Sequence, residues 1–383
     1  MQSSQSTESN LSSLVPAYDS ILELMPYQTG KPVEELTREY GVSDVVKLAS
    51  NENPLGCSPH VTLAITEQLG QLARYPDGNG YYLKQALADF NDVGVEQITL
   101  GNGSDDLLDI LARSFAGVDD AIIYSQYAFI VYPMLAKMQG AKGAKGVEVP
   151  ANRFGHDLKA MSQAVADNPN SKIVFIANPN NPTGTQLTQQ ELHAFVASVP
   201  SSVLVVLDEA YIEYSPESNN RALLDEFENV VIVRTFSKAY GLAGLRVGYA
   251  LSSVAVADLL NRIRQPFNVS RVALAAAHAA LADQDFIEKT RLNNQEQMRW
   301  LEKQFDALGL GFIKSHANFI MVEIEVEMED INAAAIYQAL LEQGVIVRPL
   351  AGYGLPNWLR ITVGVAEDNM RLIDTLRSIL TED

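Results

Sequence analysis

The chain has 383 residues, 47% of them hydrophobic and 20% charged, enough for a large globular domain with a smaller one beside it. Its 28 basic against 47 acidic residues give a net charge of −19, which repels phosphate backbones and anionic membranes and excludes nucleic acid as an expected partner. One cysteine, Cys57, excludes an internal disulfide and fits a reducing compartment.

Residues 1–13 are serine-rich, lack the basic and apolar regions of a signal peptide, and are expected to form a disordered arm. No apolar run approaches the ~20 residues needed to span a bilayer, so a cytoplasmic location without a membrane partner is expected. The five histidines include no pair at metal-ligand spacing, and no metal is expected.

Short apolar runs then alternate with helical patterns, which predicts a mainly parallel sheet covered by helices. Strands are predicted at 97–100, 121–124, 172–177, 203–207, 230–234 and 246–251. Each is followed by a polar or Gly-containing segment, where α/β sheets place their ligands.

The first strand runs into Gly101-Asn102-Gly103-Ser104-Asp105-Asp106 and a helical pattern over 107–115. A glycine turn opening a helix presents backbone N–H groups to an anion, with Ser104 and Asp105 in the first turn; Asp105 could equally be only a helix cap. Strand 172–177 meets Asn178-Pro179-Asn180-Asn181-Pro182-Thr183-Gly184. Two X-Pro steps and a glycine force a rigid turn there, able to aim the Asn181 amide at a ligand oxygen.

Strand 203–207 ends at Asp208, a carboxylate placed to meet a buried cation, with Tyr211 three residues on. A helix cap with a packed tyrosine would give the same string. Strand 230–234 delivers Thr235-Phe236-Ser237-Lys238. A lysine at the end of a buried strand is costly unless its charge is paired or its pKa lowered, and a lowered pKa is what an amine needs to attack a carbonyl. Arg246 follows within Gly241-Leu242-Ala243-Gly244-Leu245-Arg246-Val247-Gly248. Ser237, Lys238 and Arg246 could thus present a hydroxyl, an amine and a guanidinium to one phosphate. After Pro266, helices over 271–283 and 286–308 precede strands at 317–325, 345–349 and 359–363 and a closing helix at 367–380, the pattern of a second α/β domain.

In this order the Gly101-x-Gly103 turn, the aromatic residues after strand 121–124, the Asn178-Pro179-x-x-Pro182-Thr183-Gly184 turn, Asp208-x-x-Tyr211, Ser237-Lys238 and Arg246 resemble the fold-type I pyridoxal-phosphate enzymes of the aspartate-aminotransferase-like superfamily. The flanking segments are similar to the histidinol-phosphate aminotransferase family from about residue 20 to the C-terminus. They are Pro26-Tyr27, Asn51-Glu52-Asn53-Pro54, Arg74-Tyr75-Pro76 and the two strands carrying Arg348 and Arg360. Cys57 stands where that family often has proline.

The resemblance implies a fold-type I α/β architecture: a large domain over 46–268 on a mainly parallel seven-stranded sheet, a smaller C-terminal α/β domain over 269–383, and a segment, 14–45, packing with the latter. It implies pyridoxal 5′-phosphate attached covalently to Lys238, with Asp208 at the ring nitrogen and Asn181 and Tyr211 at the ring oxygen. Lys238, Asp208 and Tyr211 are the implied catalytic residues. Tyr127 is the implied stacking ring, with Phe129 the alternative. Ser104, Asp105, Ser237 and Arg246 are implied around the cofactor phosphate, joined by Tyr75 of the partner subunit in a homodimer with shared sites.

Histidinol phosphate is the implied substrate, held by Tyr27, Asn53, Arg348 and Arg360, with glutamate and 2-oxoglutarate as the second pair in a ping-pong cycle of histidine biosynthesis. An arginine fork accepts phosphate and carboxylate alike. An aromatic amino-acid aminotransferase, or a lyase or decarboxylase built on the same cofactor residues, therefore stays open on the sequence. A regulator with an aminotransferase-like domain is not expected in a chain of this length and charge.

Overall fold

The computed structural model describes residues 17–26, 30–139, 143–324 and 332–381; the N-terminal arm and Tyr27 lie outside them. After the short strand β1 (Val46–Lys47), seven strands build one large sheet: β2 (Ile98–Gly101), β3 (Ala121–Ser125), β4 (Lys145–Val149), β5 (Ser171–Ala177), β6 (Leu204–Asp208), β7 (Val230–Thr235) and β8 (Gly248–Ser252). Across the sheet the order is β2-β8-β7-β6-β5-β3-β4. Pairing is parallel from β4 through β7, and β8 runs antiparallel to both β7 and β2. The mainly parallel seven-stranded sheet expected from the sequence is present.

Its central strands read as unbroken apolar runs because both faces are covered. Val205 and Leu207 point into one core cluster, with Phe236 and Tyr249, while Val206 points into another, with Phe175 and Val231. Strand β4 was not predicted. It pairs with β3 alone at the sheet edge, and its mostly exposed Lys145, Gly146 and Glu148 leave no apolar run to read.

The topology collects the distant motifs. Parallel strands place their C-terminal ends on one edge of the sheet, and the antiparallel β8 starts there. Gly248 at the head of β8 lies opposite both Gly101 and Thr235. The residues after β2, β3, β5, β6 and β7, and those just before β8, therefore converge on a single rim.

Beyond the long helix Gln284–Ala307 lie β9 (Phe312–Ile313), β10 (Phe319–Glu323), β11 (Val345–Ile346), β12 (Arg348–Pro349) and β13 (Trp358–Thr362). Four make an antiparallel sheet ordered β12-β13-β10-β9, and β11 pairs with β1. The run predicted as one strand over 345–349 is thus two, which take different partners on either side of buried Val347. Leu301, Phe305, Ile320, Leu359 and Leu372 belong to the core on this side. Leu36, from the helix Val33–Tyr40, packs with Leu341 and Ile346. The helix Arg271–Ala282, expected in the smaller domain, instead sends Ala273, Ala276, Ala277 and Leu281 into the large-sheet cluster, against the helices Pro59–Gln68 and Tyr81–Asn91. Among the described residues no helix is long and apolar enough to cross a membrane.

Candidate active site

A cavity of about 370 Å³ opens at the strand-end rim. Lys238, Asp208, Tyr211, Asn181, Ser104, Asp105, Ser237, Arg246, Arg348 and Arg360 line it, as do Ser50, Asn51, Phe129 and Thr235. Among the described residues Tyr75, Tyr127 and Asn53 stand outside this lining.

The Lys238 amine donates to the Ser50 carbonyl at 3.3 Å and lies 5.8 Å from the centre of the Tyr211 ring. Burial, reinforced by the Arg360 guanidinium, pushes this amine down to about 8. It is therefore neutral at a far lower pH than an ordinary lysine, as an amine that attacks a carbonyl must be.

Asp208 closes β6 and is 5% exposed. Burial pushes its carboxyl up to about 6, against a hydrogen bond from the Tyr132 hydroxyl at 2.9 Å and a longer one from the Ala210 amide. Tyr132 is fully buried and stacked on Phe175, with ring centres 4.6 Å apart and planes within 7°. Sequence reasoning missed Tyr132. Its one local signal is the place three residues after Phe129, at the start of the helix Val131–Lys137.

The anion-binding end is assembled from three segments. Arg246 donates to Ser237 Oγ at 3.2 Å and to Asp105 Oδ2 at 3.0 Å. Asp105 thus orients the guanidinium, since a carboxylate offers no attraction to a phosphate. The first turn of the helix Ser104–Phe115 has no side-chain cap, so its leading amides stay open. Both neighbouring glycines are required, Gly103 by its left-handed backbone at φ 86° and Gly248 by close approach of backbone. A Cβ at Gly103 would sit 2.5 Å from Arg246 Nη2, and one at Gly248 would sit 2.8 Å from the Ser104 amide nitrogen. Open amides, a hydroxyl and a guanidinium together fit a phosphate, and the neighbouring Lys238 and Asp208 fit an aldehyde and a ring cation.

Two further arginines, Arg348 and Arg360, line the cavity and are paired across β12 and β13. Arg360 is buried, donates to Asn181 Oδ1 at 2.5 Å and to the Ala49 carbonyl at 2.8 Å, and lies over the Phe319 ring. Its Nε has no hydrogen-bond partner among the described residues. A buried guanidinium N–H left in this state points to a missing acceptor. Because Asn181 uses its carbonyl oxygen on Arg360, its amide N–H pair remains for another acceptor.

Three of the implied residues lie outside the cavity lining, and Tyr75, implied to serve the partner subunit's site, is expected to do so. Phe129, not Tyr127, faces the cavity; the Tyr127 ring packs 5.9 Å from Phe154 and near Met321 and Trp358. The Ala128 amide bonds back to the Ser125 carbonyl, and this tight turn ends the strand alternation from which an inward position would be counted. Asn53 ties its loop to the Ala239 carbonyl and to Thr290 Oγ1, while Asn51 reaches the cavity and donates to Tyr211 Oη at 2.9 Å. Tyr75 is 78% exposed, stacked on Phe267 outside its own chain's cavity. Leu69, Leu72, Tyr81 and Tyr82, close to it in sequence, are also exposed. Cys57 is a free, partly buried thiol, and among the described residues no group of His, Cys, Asp and Glu could hold a metal ion.

Comparison with known proteins agrees with this geometry. The family model "Aminotransferase class I and II" matches residues 43–376. Over 383 residues, covering both chains in full, the sequence is 88% identical to histidinol-phosphate aminotransferase 1 of Psychrobacter arcticus. It is 50% identical to the enzyme of the same name from Mannheimia succiniciproducens, over 96% of this chain and 98% of that one. Among solved structures, histidinol-phosphate aminotransferase from Sinorhizobium meliloti in complex with pyridoxal-5′-phosphate superposes with a TM-score of 0.85 at 30% identity, covering 94% of this chain and 97% of that one.

Proposed function

The chain belongs to the class I and II aminotransferase family, and from that premise we infer how its cavity works. The enzyme is a pyridoxal-phosphate-dependent transaminase of histidine biosynthesis that acts on histidinol phosphate. The observation that carries this reading is the cross-strand pair Arg348 and Arg360, brought into one cavity with Lys238 and Asp208. One buried arginine satisfies a carboxylate; a second adjacent to it suits the greater charge of a phosphate.

Bound pyridoxal phosphate supplies an electron-withdrawing ring that accepts charge from the substrate's amine-bearing carbon. Lys238 would hold the cofactor covalently, and its amine is placed to take up and give back the proton of the amine-bearing carbon. Asp208 would keep the cofactor's ring nitrogen protonated. The Asn181 amide and the Tyr211 hydroxyl would donate to the cofactor's ring oxygen, and Phe129 would offer its face to the ring. Ser104, Ser237, Arg246 and the open helix amides would hold the cofactor phosphate, with Asp105 setting the guanidinium. Arg360 and Arg348 hold the substrate anion and so align the reacting carbon with Lys238.

On this reading glutamate and 2-oxoglutarate are the second substrate pair. The protein is a cytoplasmic homodimer in which Tyr75 of the partner subunit completes the phosphate site. A large cofactor-binding part over 46–268, joined by the helix Arg271–Ala282, carries a smaller C-terminal part against which the helix Val33–Tyr40 packs. Comparing kcat/KM for histidinol phosphate, phenylalanine and tyrosine with 2-oxoglutarate tests the substrate. Histidinol phosphate is expected to lead; a lead of about tenfold or more for either aromatic amino acid overturns the assignment.

A further inference from the structure

Asn51 connects the smaller sheet to the cofactor pocket through one continuous set of hydrogen bonds. Its backbone N–H donates to Thr362 Oγ1 at 2.9 Å, and Thr362 Oγ1 donates back to Asn51 Oδ1 at 3.1 Å. Its carbonyl accepts from Asn318 Nδ2 at 3.0 Å, and its own Nδ2 donates to Tyr211 Oη at 2.9 Å. Asn51, Thr362 and Asn318 are all buried, so each of these groups depends on the others for a partner. Asn51 also sits at φ 56°, in the left-handed region that a non-glycine residue adopts at a cost and that asparagine tolerates best.

The polarity of the set follows from which atoms carry protons. A backbone N–H can only donate, so Thr362 Oγ1 must accept there and has one proton left to give. That proton goes to Asn51 Oδ1, which turns the other end of the amide, an NH2 group, toward Tyr211. The Tyr211 oxygen is then the acceptor in its contact with Asn51. Its single hydroxyl proton is free to be donated only to something else, and Tyr211 lines the cavity.

We propose that Asn51, oriented by Thr362, is a positioning residue that forces Tyr211 to act as a hydrogen-bond donor toward the cofactor's ring oxygen. This rests on the placement of Tyr211 given above. It also links two functions on one strand. Arg360 and Thr362, two residues apart on β13, hold the substrate anion and the Asn51 amide, so the strand that binds the substrate also sets the donor on the cofactor side.

The test is the pH midpoint of the holoenzyme's visible absorbance band. A donor to the ring oxygen stabilises the deprotonated chromophore, in which that oxygen carries more negative charge, so losing the donor raises the midpoint. Tyr211→Phe is expected to raise it by about one to two pH units, the equivalent of one hydrogen bond to a charged group. Asn51→Gly, chosen because glycine accepts the left-handed backbone, is expected to shift it in the same direction. Thr362→Val, similar in volume but without the hydroxyl, should do likewise and covers the case in which Asn51→Gly does not fold. In the Asn51→Gly/Tyr211→Phe double variant, and in Thr362→Val/Tyr211→Phe, the midpoint should match that of Tyr211→Phe alone.

A midpoint that stays at the wild-type value in the folded single variants overturns the proposal, as do shifts that add in the doubles. Lowered thermal stability alone would show that Asn51 merely holds its turn. If Tyr211→Phe itself leaves the midpoint unmoved, the placement of Tyr211 fails and this inference falls with it; if only the Asn51 and Thr362 variants are silent, the placement stands.

Discussion

Tyr132, from the helix after β3, donates a 2.9 Å hydrogen bond to Asp208 at the end of β6 and so bridges 76 residues of sequence under the floor of the cavity. This bond opposes the burial that pushes the Asp208 carboxyl up to about 6 from an ordinary 3.8.

A raised carboxyl pKa means that the folded chain keeps a proton which the unfolded chain has released. Stability of the cofactor-free protein is therefore expected to fall as pH rises from about 4 to about 6 and to stay lower above that window. A change of about two units corresponds to up to about 3 kcal/mol. Asp208→Asn should then raise Tm of the cofactor-free protein near neutral pH while severely slowing the half-reaction. An unchanged Tm profile across this window would remove burial as the cause. Tyr132→Phe should weaken cofactor binding by about fivefold, read by titration of the cofactor-free protein.

Lys238→Ala is expected to eliminate turnover, by about 10⁴-fold or more, and to eliminate the covalent cofactor band, with the fold retained. The depressed amine also predicts a rate. Covalent attachment of pyridoxal phosphate to cofactor-free enzyme should rise with pH through a midpoint near 8, because only the neutral amine attacks. A midpoint near that of an ordinary lysine, measured by stopped-flow absorbance, contradicts the buried setting.

Phe129→Ala and Tyr127→Ala separate the two candidate stacking rings. Loss of a stacked ring costs about 0.5–1.5 kcal/mol beyond area burial, so Phe129→Ala should weaken cofactor affinity by roughly two- to tenfold or more. Tyr127→Ala should act on Tm through its packing near Trp358 and leave cofactor affinity nearly unchanged. The reverse pattern in equilibrium titrations restores Tyr127 to the site.

Arg348→Ala is expected to lower kcat/KM for histidinol phosphate by about tenfold to a hundredfold, the loss of one charge-assisted hydrogen bond, and to affect glutamate less. Arg360→Ala should impair every acidic substrate, since it also releases Asn181 and the Ala49 carbonyl. Equal losses for both substrates in Arg348→Ala would show that it does not discriminate phosphate from carboxylate.

Mixing Tyr75→Ala with Lys238→Ala subunits tests the shared site. In a heterodimer one site would hold both lesions and the other neither, so activity should reappear on subunit exchange. No recovery, with exchange confirmed by native mass spectrometry, means that each site is built from one chain.

Most of the cavity was legible because its chemistry is written locally. Lys238 ends a buried strand, Asp208 ends the neighbouring one, Asn181 sits in a turn with two prolines, and two glycines open the helix at Ser104. Each of these strings constrains its own backbone whatever surrounds it. The mainly parallel sheet was legible for the same reason, since strands covered on both faces must be apolar throughout. Edge strand β4 was not, because water covers most of it and imposes no such pattern. Nor was the inward ring: Tyr127 and Phe129 are both aromatic, and the turn between them decides which one meets the cavity. Thr362 and Tyr132 carry no motif of their own, and the motif that holds Asn51 does not say which of its two asparagines reaches the cavity. The partners of these three lie 76 to 311 residues away, and a hydrogen bond across that distance exists only once the sheets have packed and the loss of water leaves each buried group no other partner.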